Sequence, residues 1–99
     1  MAEWLYRIPP SRPEMVTQPT DAEAETVNAH FRYLQSLLEA GTLILAGRTQ
    51  EIVDTFGLVI FEAADEASAR TIAEADPAVA AGVFTMTLHP YAIALTRTP

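Results

Sequence analysis

An α+β fold built on one antiparallel sheet is predicted by three features of this 99-residue chain. Segments of strand length and composition alternate with two segments of helical period, in the order β-α-β and then β-α-β. A capping residue opens each helical segment, and a glycine or a proline closes it. Right-handed crossovers applied to that order place both helices on one face of the sheet, which is a ferredoxin-like βαββαβ arrangement.

The first strand is Trp4-Leu5-Tyr6-Arg7-Ile8, rich in aromatic and branched side chains and stopped by Pro9-Pro10. Residues Ser11 to Pro19 carry further prolines and no periodicity, so they read as a long loop, a class of segment that is often functional. Thr20-Asp21-Ala22-Glu23 has the capping-box pattern, and the helix it opens runs to about Ala40, with Gly41 suited to the left-handed position beyond its end. Val27, Phe31, Leu34 and Leu38 recur at helical spacing and define the expected core stripe, with His30 at its flank.

Thr42 to Ala46 reads as the second strand, ended by Gly47, and Phe56 to Phe61 as the third, with Gly57 a candidate bulge. Asp65 caps a second helix that continues to about Ala75 and carries Ala69, Ile72, Ala73 and Asp76 on one face, until Pro77 ends it. Val83 to Leu88 is the expected fourth strand, interrupted by Pro90, and Tyr91 to Leu95 could add a short final one.

Composition excludes several functions. Ninety-nine residues suit one domain, 1–99, and an apolar fraction of 49% with 19% charged residues is that of a globular protein. The chain has no cysteine, so thiol catalysis, disulfides and thiolate metal sites are ruled out. Thirteen acidic residues against six arginines and no lysine give a net charge of −7, which disfavours nucleic acid and leaves no amine for Schiff-base chemistry. No segment has the length and hydropathy of a membrane span or the pattern of a signal peptide, so a cytoplasmic location is the default expectation. Neither a phosphate-binding glycine loop nor a His-x-x-x-His spacing is present, so no cofactor and no metal are expected.

The second and third strands carry a further message. Leu43-Ile44-Leu45-Ala46 and Leu58-Val59-Ile60-Phe61 are apolar on both faces, whereas a half-solvated antiparallel sheet should alternate. Two helices cover only one face of so small a sheet. The other face calls for a second copy, which predicts a homodimer joined sheet to sheet.

The residues that point to chemistry are His30 and Asp76, each on the inner side of a predicted helix. The two helices run antiparallel in the expected topology, so the end of the second approaches the first half of the first and brings the pair together. A buried imidazole and a buried carboxylate both need polar partners, and together they can move protons. The plainer readings are a core-flanking histidine bonded to a carbonyl, and an aspartate that merely starts a turn before proline. Arg12 in the long loop and Arg48 after the second strand are candidate clamps for an anionic group of a small-molecule substrate, or simply solvated charges.

The chain resembles the YCII-related family of small dimeric α/β-barrel proteins. The likeness rests on Arg12-Pro13, on His30-Phe31 with Tyr33-Leu34 and Leu37, and on Glu39-Ala40-Gly41 before a strand ending Ala46-Gly47. It continues through Phe61-Glu62-Ala63, Ala75-Asp76-Pro77, Ala81-Gly82-Val83 and His89-Pro90-Tyr91. The resemblance implies a ferredoxin-like dimeric α/β barrel in which a His–Asp pair is catalytic, roles that fall on His30 and Asp76. The chain departs from the family pattern at Ala78, where an aromatic residue is common, and at Arg48, where proline is common.

Two functions fit this reading. One is a cofactor-independent enzyme in which His30 is the general acid or base and Asp76 orients it, performing isomerase- or lyase-like proton transfer on a small organic metabolite. The other is a non-catalytic ligand-binding or accessory dimer that uses the same cavity.

Overall fold

Thr20 opens the long helix through a reciprocal cap: its hydroxyl accepts from the Glu23 amide at 3.1 Å, and the Glu23 carboxylate accepts from the Thr20 amide at 2.9 Å. The computed structural model describes residues 1–97. Along them run β1 (Ala2–Ile8), a 3₁₀ turn (Pro13–Val16), α1 (Asp21–Glu39), β2 (Leu43–Arg48), β3 (Gly57–Ala63), α2 (Glu66–Glu74), α3 (Pro77–Ala80) and β4 (Thr87–Tyr91). Gly41 follows α1 with φ of 78°, a conformation that costs glycine nothing and lets the chain turn directly into β2.

The four strands form one antiparallel sheet in the order β2-β3-β1-β4, the ferredoxin-like topology. Trp4, Tyr6 and Ile8 of β1 and Val59, Phe61 and Ala63 of β3 point to the helical layer, where they meet Leu34 of α1 and Ala69 and Ala73 of α2. Small alanines on α2 let that helix sit close to the sheet. None of the helices among the described residues is long and apolar enough to cross a membrane.

Five local expectations are corrected by the packing. The inward line of α1 is Val27, His30, Leu34 and Leu37, while Phe31 and Leu38 are 60% and 59% exposed. Both lines obey helical spacing, and the sheet selects between them; His30 therefore lies in the inward stripe instead of at its flank. The sheet irregularity falls in β2, where the register shifts between Leu43 and Leu45, and not at Gly57. Gly57 marks a close approach instead: a Cβ there would sit 3.1 Å from Ile8 Cγ1.

β4 occupies Thr87–Tyr91, later than expected, and includes Pro90. Proline is tolerated because β4 is an edge strand bonded only to β1. Val83 to Thr85 instead brace the prolines that follow β1, through Ser11 N–H to the Val83 carbonyl at 2.9 Å and Thr85 N–H to the Pro9 carbonyl at 3.1 Å. Residues 92–97 form no further strand. Lastly, Asp76 does not end α2. It stands between two helices and caps the start of α3, which the sequence does not announce.

Candidate functional site

Asp76 owes its position to Pro77. Proline keeps the preceding residue out of helical geometry (φ −59°, ψ 123°) and then serves as the first residue of α3. The side chain turns inward, where it is wholly buried. Its Oδ1 accepts the Ala78 amide at 3.0 Å, and its Oδ2 accepts the Tyr6 hydroxyl at 2.8 Å and stands 2.6 Å from His30 Nδ1. The Ala78 amide, the Tyr6 hydroxyl and the His30 ring nitrogen thus converge on one carboxyl. No buried side-chain nitrogen or oxygen among the described residues is left without a partner.

His30 is held from two sides. Nδ1 stands against Asp76, where an N–H on that nitrogen donates to the carboxyl, and the Phe84 ring meets the imidazole edge-on at 5.5 Å and 81°. Nε2 has no protein hydrogen-bond partner among the described residues, and the residue lines a cavity of about 590 Å³. That volume suits a drug-sized organic molecule. Apolar side chains dominate the walls: Met15 and Val16 from the 3₁₀ turn, Phe31 from α1, Phe56 before β3, and Phe84.

Burial and the neighbouring Asp76 carboxylate push the Tyr6 hydroxyl well above the usual phenol range, so it stays a donor at any working pH. Tyr33 is pushed up for the same two reasons, burial first, and its hydroxyl donates to the Ile72 carbonyl at 2.7 Å, tying α1 to α2 beside the site.

A model of the YCII-related domain matches residues 4–88. The chain belongs to the YCII-related family. Its fold is similar to that of 5-chloro-2-hydroxyhydroquinone dehydrochlorinase (TftG) from Burkholderia phenoliruptrix AC1100, solved in complex with 2,5-dihydroxybenzoquinone. The TM-score is 0.65 at 21% identity over 90% of this chain and 93% of that one. It is also similar to a mutant of SnoaB, a cofactor-independent oxygenase from Streptomyces nogalater, with a TM-score of 0.52 at 12% identity over 96% and 94% of the two chains. Comparison with curated protein sequences gives no match.

Within this YCII-related chain the two candidate arginines are placed differently. Arg48 lines the cavity, and no carboxylate is paired with it among the described residues. Arg12 does not line it. Its guanidinium grips Glu23 through Nε at 3.0 Å and Nη2 at 2.7 Å, and Nη2 also donates to the Gln18 carbonyl at 2.9 Å. The grip closes the 11–19 loop onto the start of α1 and so holds Met15 and Val16 in the cavity wall. His89 lies exposed on edge strand β4, bonded to Thr87 Oγ1 at 3.0 Å. No group of three His, Cys, Asp or Glu side chains among the described residues is arranged to hold a metal ion.

The Arg12 hydrogen bonds, helped by the Thr20 amide, hold the Glu23 carboxyl down to about 2 from its ordinary 4.5. A depressed carboxyl contributes stability that is fully present above its unfolded value and is lost as pH falls through the folded one. Glu23→Gln is therefore expected to lower Tm at pH 7, and the gap from wild type should close between about pH 5 and pH 2. Thermal melts that keep the full gap at pH 2 would contradict this.

Sequence reasoning missed Tyr6, which reads only as one aromatic residue of a strand. Its signal was the period-two alternation with Trp4 and Ile8, which assigns it to the face under the helices.

Proposed function

We propose that this protein is a small cofactor-independent enzyme that transfers protons on a small organic metabolite, in isomerase- or lyase-like fashion, with His30 as general acid or base. The observation that carries the reading is the 2.6 Å contact of Nδ1 with a wholly buried carboxyl, which leaves Nε2 as the nitrogen able to exchange a proton on the cavity side. Nε2 takes a proton from substrate carbon or oxygen, Asp76 stabilises the resulting imidazolium, and the same nitrogen returns the proton to another atom or to a departing group. Arg48 holds an anionic group at the rim, and the aromatic walls receive an apolar, planar body. Arg12 serves the site indirectly, through the loop. Elimination is also the chemistry named for the dehydrochlorinase among the structural neighbours.

The working unit in this reading is a homodimer. Leu5, Ile60 and Leu45 are register partners forming one row across β1, β3 and β2, on the face opposite the helices. A second sheet packed on that row would close the dimeric barrel.

The test begins with a thermal-shift screen of hydroxylated aromatic acids and enolisable keto acids. Ligands that bind are then followed by NMR for proton exchange with deuterated solvent. His30→Gln is expected to slow exchange by about 10²–10⁴-fold while leaving the fold intact. Exchange at the wild-type rate in that variant would overturn the reading.

A further inference from the structure

We infer that Tyr6 is a positioning residue for His30: by donating to the same Asp76 oxygen that receives His30 Nδ1, it sets how strongly that oxygen pulls on the imidazole proton. The inference rests on the reading of His30 as the proton-transferring group and adds a residue to it. Tyr6 Oη lies 2.8 Å from Asp76 Oδ2, and His30 Nδ1 lies 2.6 Å from that same atom. The other carboxyl oxygen is occupied by the Ala78 amide at 3.0 Å. The phenol has no other hydrogen-bond partner among the described residues, and it is wholly buried, so this bond is the sole use of its polar end.

Two donors on one oxygen compete for its charge. A carboxylate oxygen that gives part of its negative charge to a phenol holds an imidazole N–H less tightly. The proton then stays on Nδ1 and does not move towards Asp76, and Nε2 keeps its lone pair for the cavity. A phenylalanine at this position would pack equally well against Phe61, whose ring Tyr6 meets edge-on at 5.8 Å and 67°. Packing therefore asks only for the ring, and the hydroxyl answers to Asp76.

The experiment is ¹⁵N and ¹H NMR of protein labelled at histidine, recorded at a pH where the rings are neutral, and it requires no substrate. Wild type is expected to show His30 with its proton on Nδ1 and a downfield Nδ1–H resonance. In Tyr6→Phe that resonance is expected to move further downfield, because Oδ2 now bonds to the imidazole alone. Incorporating 3-fluorotyrosine at position 6 keeps the hydroxyl and makes it a stronger donor, so the resonance is expected to move upfield. This second variant keeps the inference falsifiable if Tyr6→Phe folds poorly.

Opposite displacements by the two variants establish the positioning role. A lower Tm with the His30 resonance unmoved in both would make Tyr6 purely structural and overturn the inference, leaving the enzyme reading in place. A wild-type ring carrying its proton on Nε2 would overturn both.

Discussion

Asp76→Ala is expected to destabilise the protein by about 3–5 kcal/mol, a large share of the stability of a small domain. The substitution empties a small, wholly buried volume, and its larger effect is on hydrogen bonding. It strands the Tyr6 hydroxyl, the His30 Nδ1–H and the Ala78 amide, all of which donate to this one side chain where water does not reach. Each buried donor left without an acceptor costs about 1–3 kcal/mol. Asp76→Asn can keep its oxygen on the Ala78 amide, but its NH2 then faces the Tyr6 hydroxyl and His30 Nδ1, so an intermediate loss is expected. Urea denaturation at pH 7 reads both effects. A loss below about 1 kcal/mol in Asp76→Ala would mean that the three donors find other partners, and that Asp76 is not the hub of the site.

Leu45→Glu is expected to turn the proposed dimer into a folded monomer. Leu45 is 59% exposed in the isolated chain, so the change costs the monomer little. Across a two-fold axis the same position counts twice. Losing the burial of the exposed part of this leucine costs about 1–2 kcal/mol at each copy, so Kd should weaken at least about thirtyfold before the cost of burying a carboxylate is added. Sedimentation velocity at micromolar concentration should give a dimer for wild type and a monomer for the variant, both with the same circular dichroism. A wild-type protein that sediments as a monomer would remove the dimer from the proposal.

The physical distance between signal and consequence explains what could be read early. The capping box at Thr20 and Glu23, the left-handed Gly41, and Asp65 as the cap of α2 each involve residues a few positions apart, and all stand where their local chemistry puts them. The approach of His30 to Asp76, 46 positions apart, was legible for another reason. The handedness of crossovers leaves few ways to arrange βαββαβ, and those ways bring the end of α2 to the first half of α1.

Other features had no local signature. The third member of the network, Tyr6, is 70 positions from Asp76, and nothing in a strand's composition tells a packing ring from a donating hydroxyl. Arg12 looked like a free cation until the loop folded back and gave it Glu23, a residue whose capping role already accounted for it in the sequence. Pro90 argued against a strand, because the rule against proline holds for strands bonded on both sides and only the sheet order shows that β4 lies at the edge.

The sequence by itself determined the order of the four strands and two main helices, the starts of α1 and α2, and hence the fold, together with the acidic, lysine-free composition. Those depend on neighbours within a turn of helix and on steric rules common to all chains. Only the tertiary structure decided which of two helical stripes on α1 faces inward, and with it that His30 lies within the inward line while Phe31 stands at the cavity wall. Residues 27, 31, 34, 38 and residues 27, 30, 34, 37 satisfy the helical period equally, so periodicity cannot choose between them. The choice falls to the shape of the sheet and of α2 beneath the helix, where close packing admits one rotation of α1 and excludes the other.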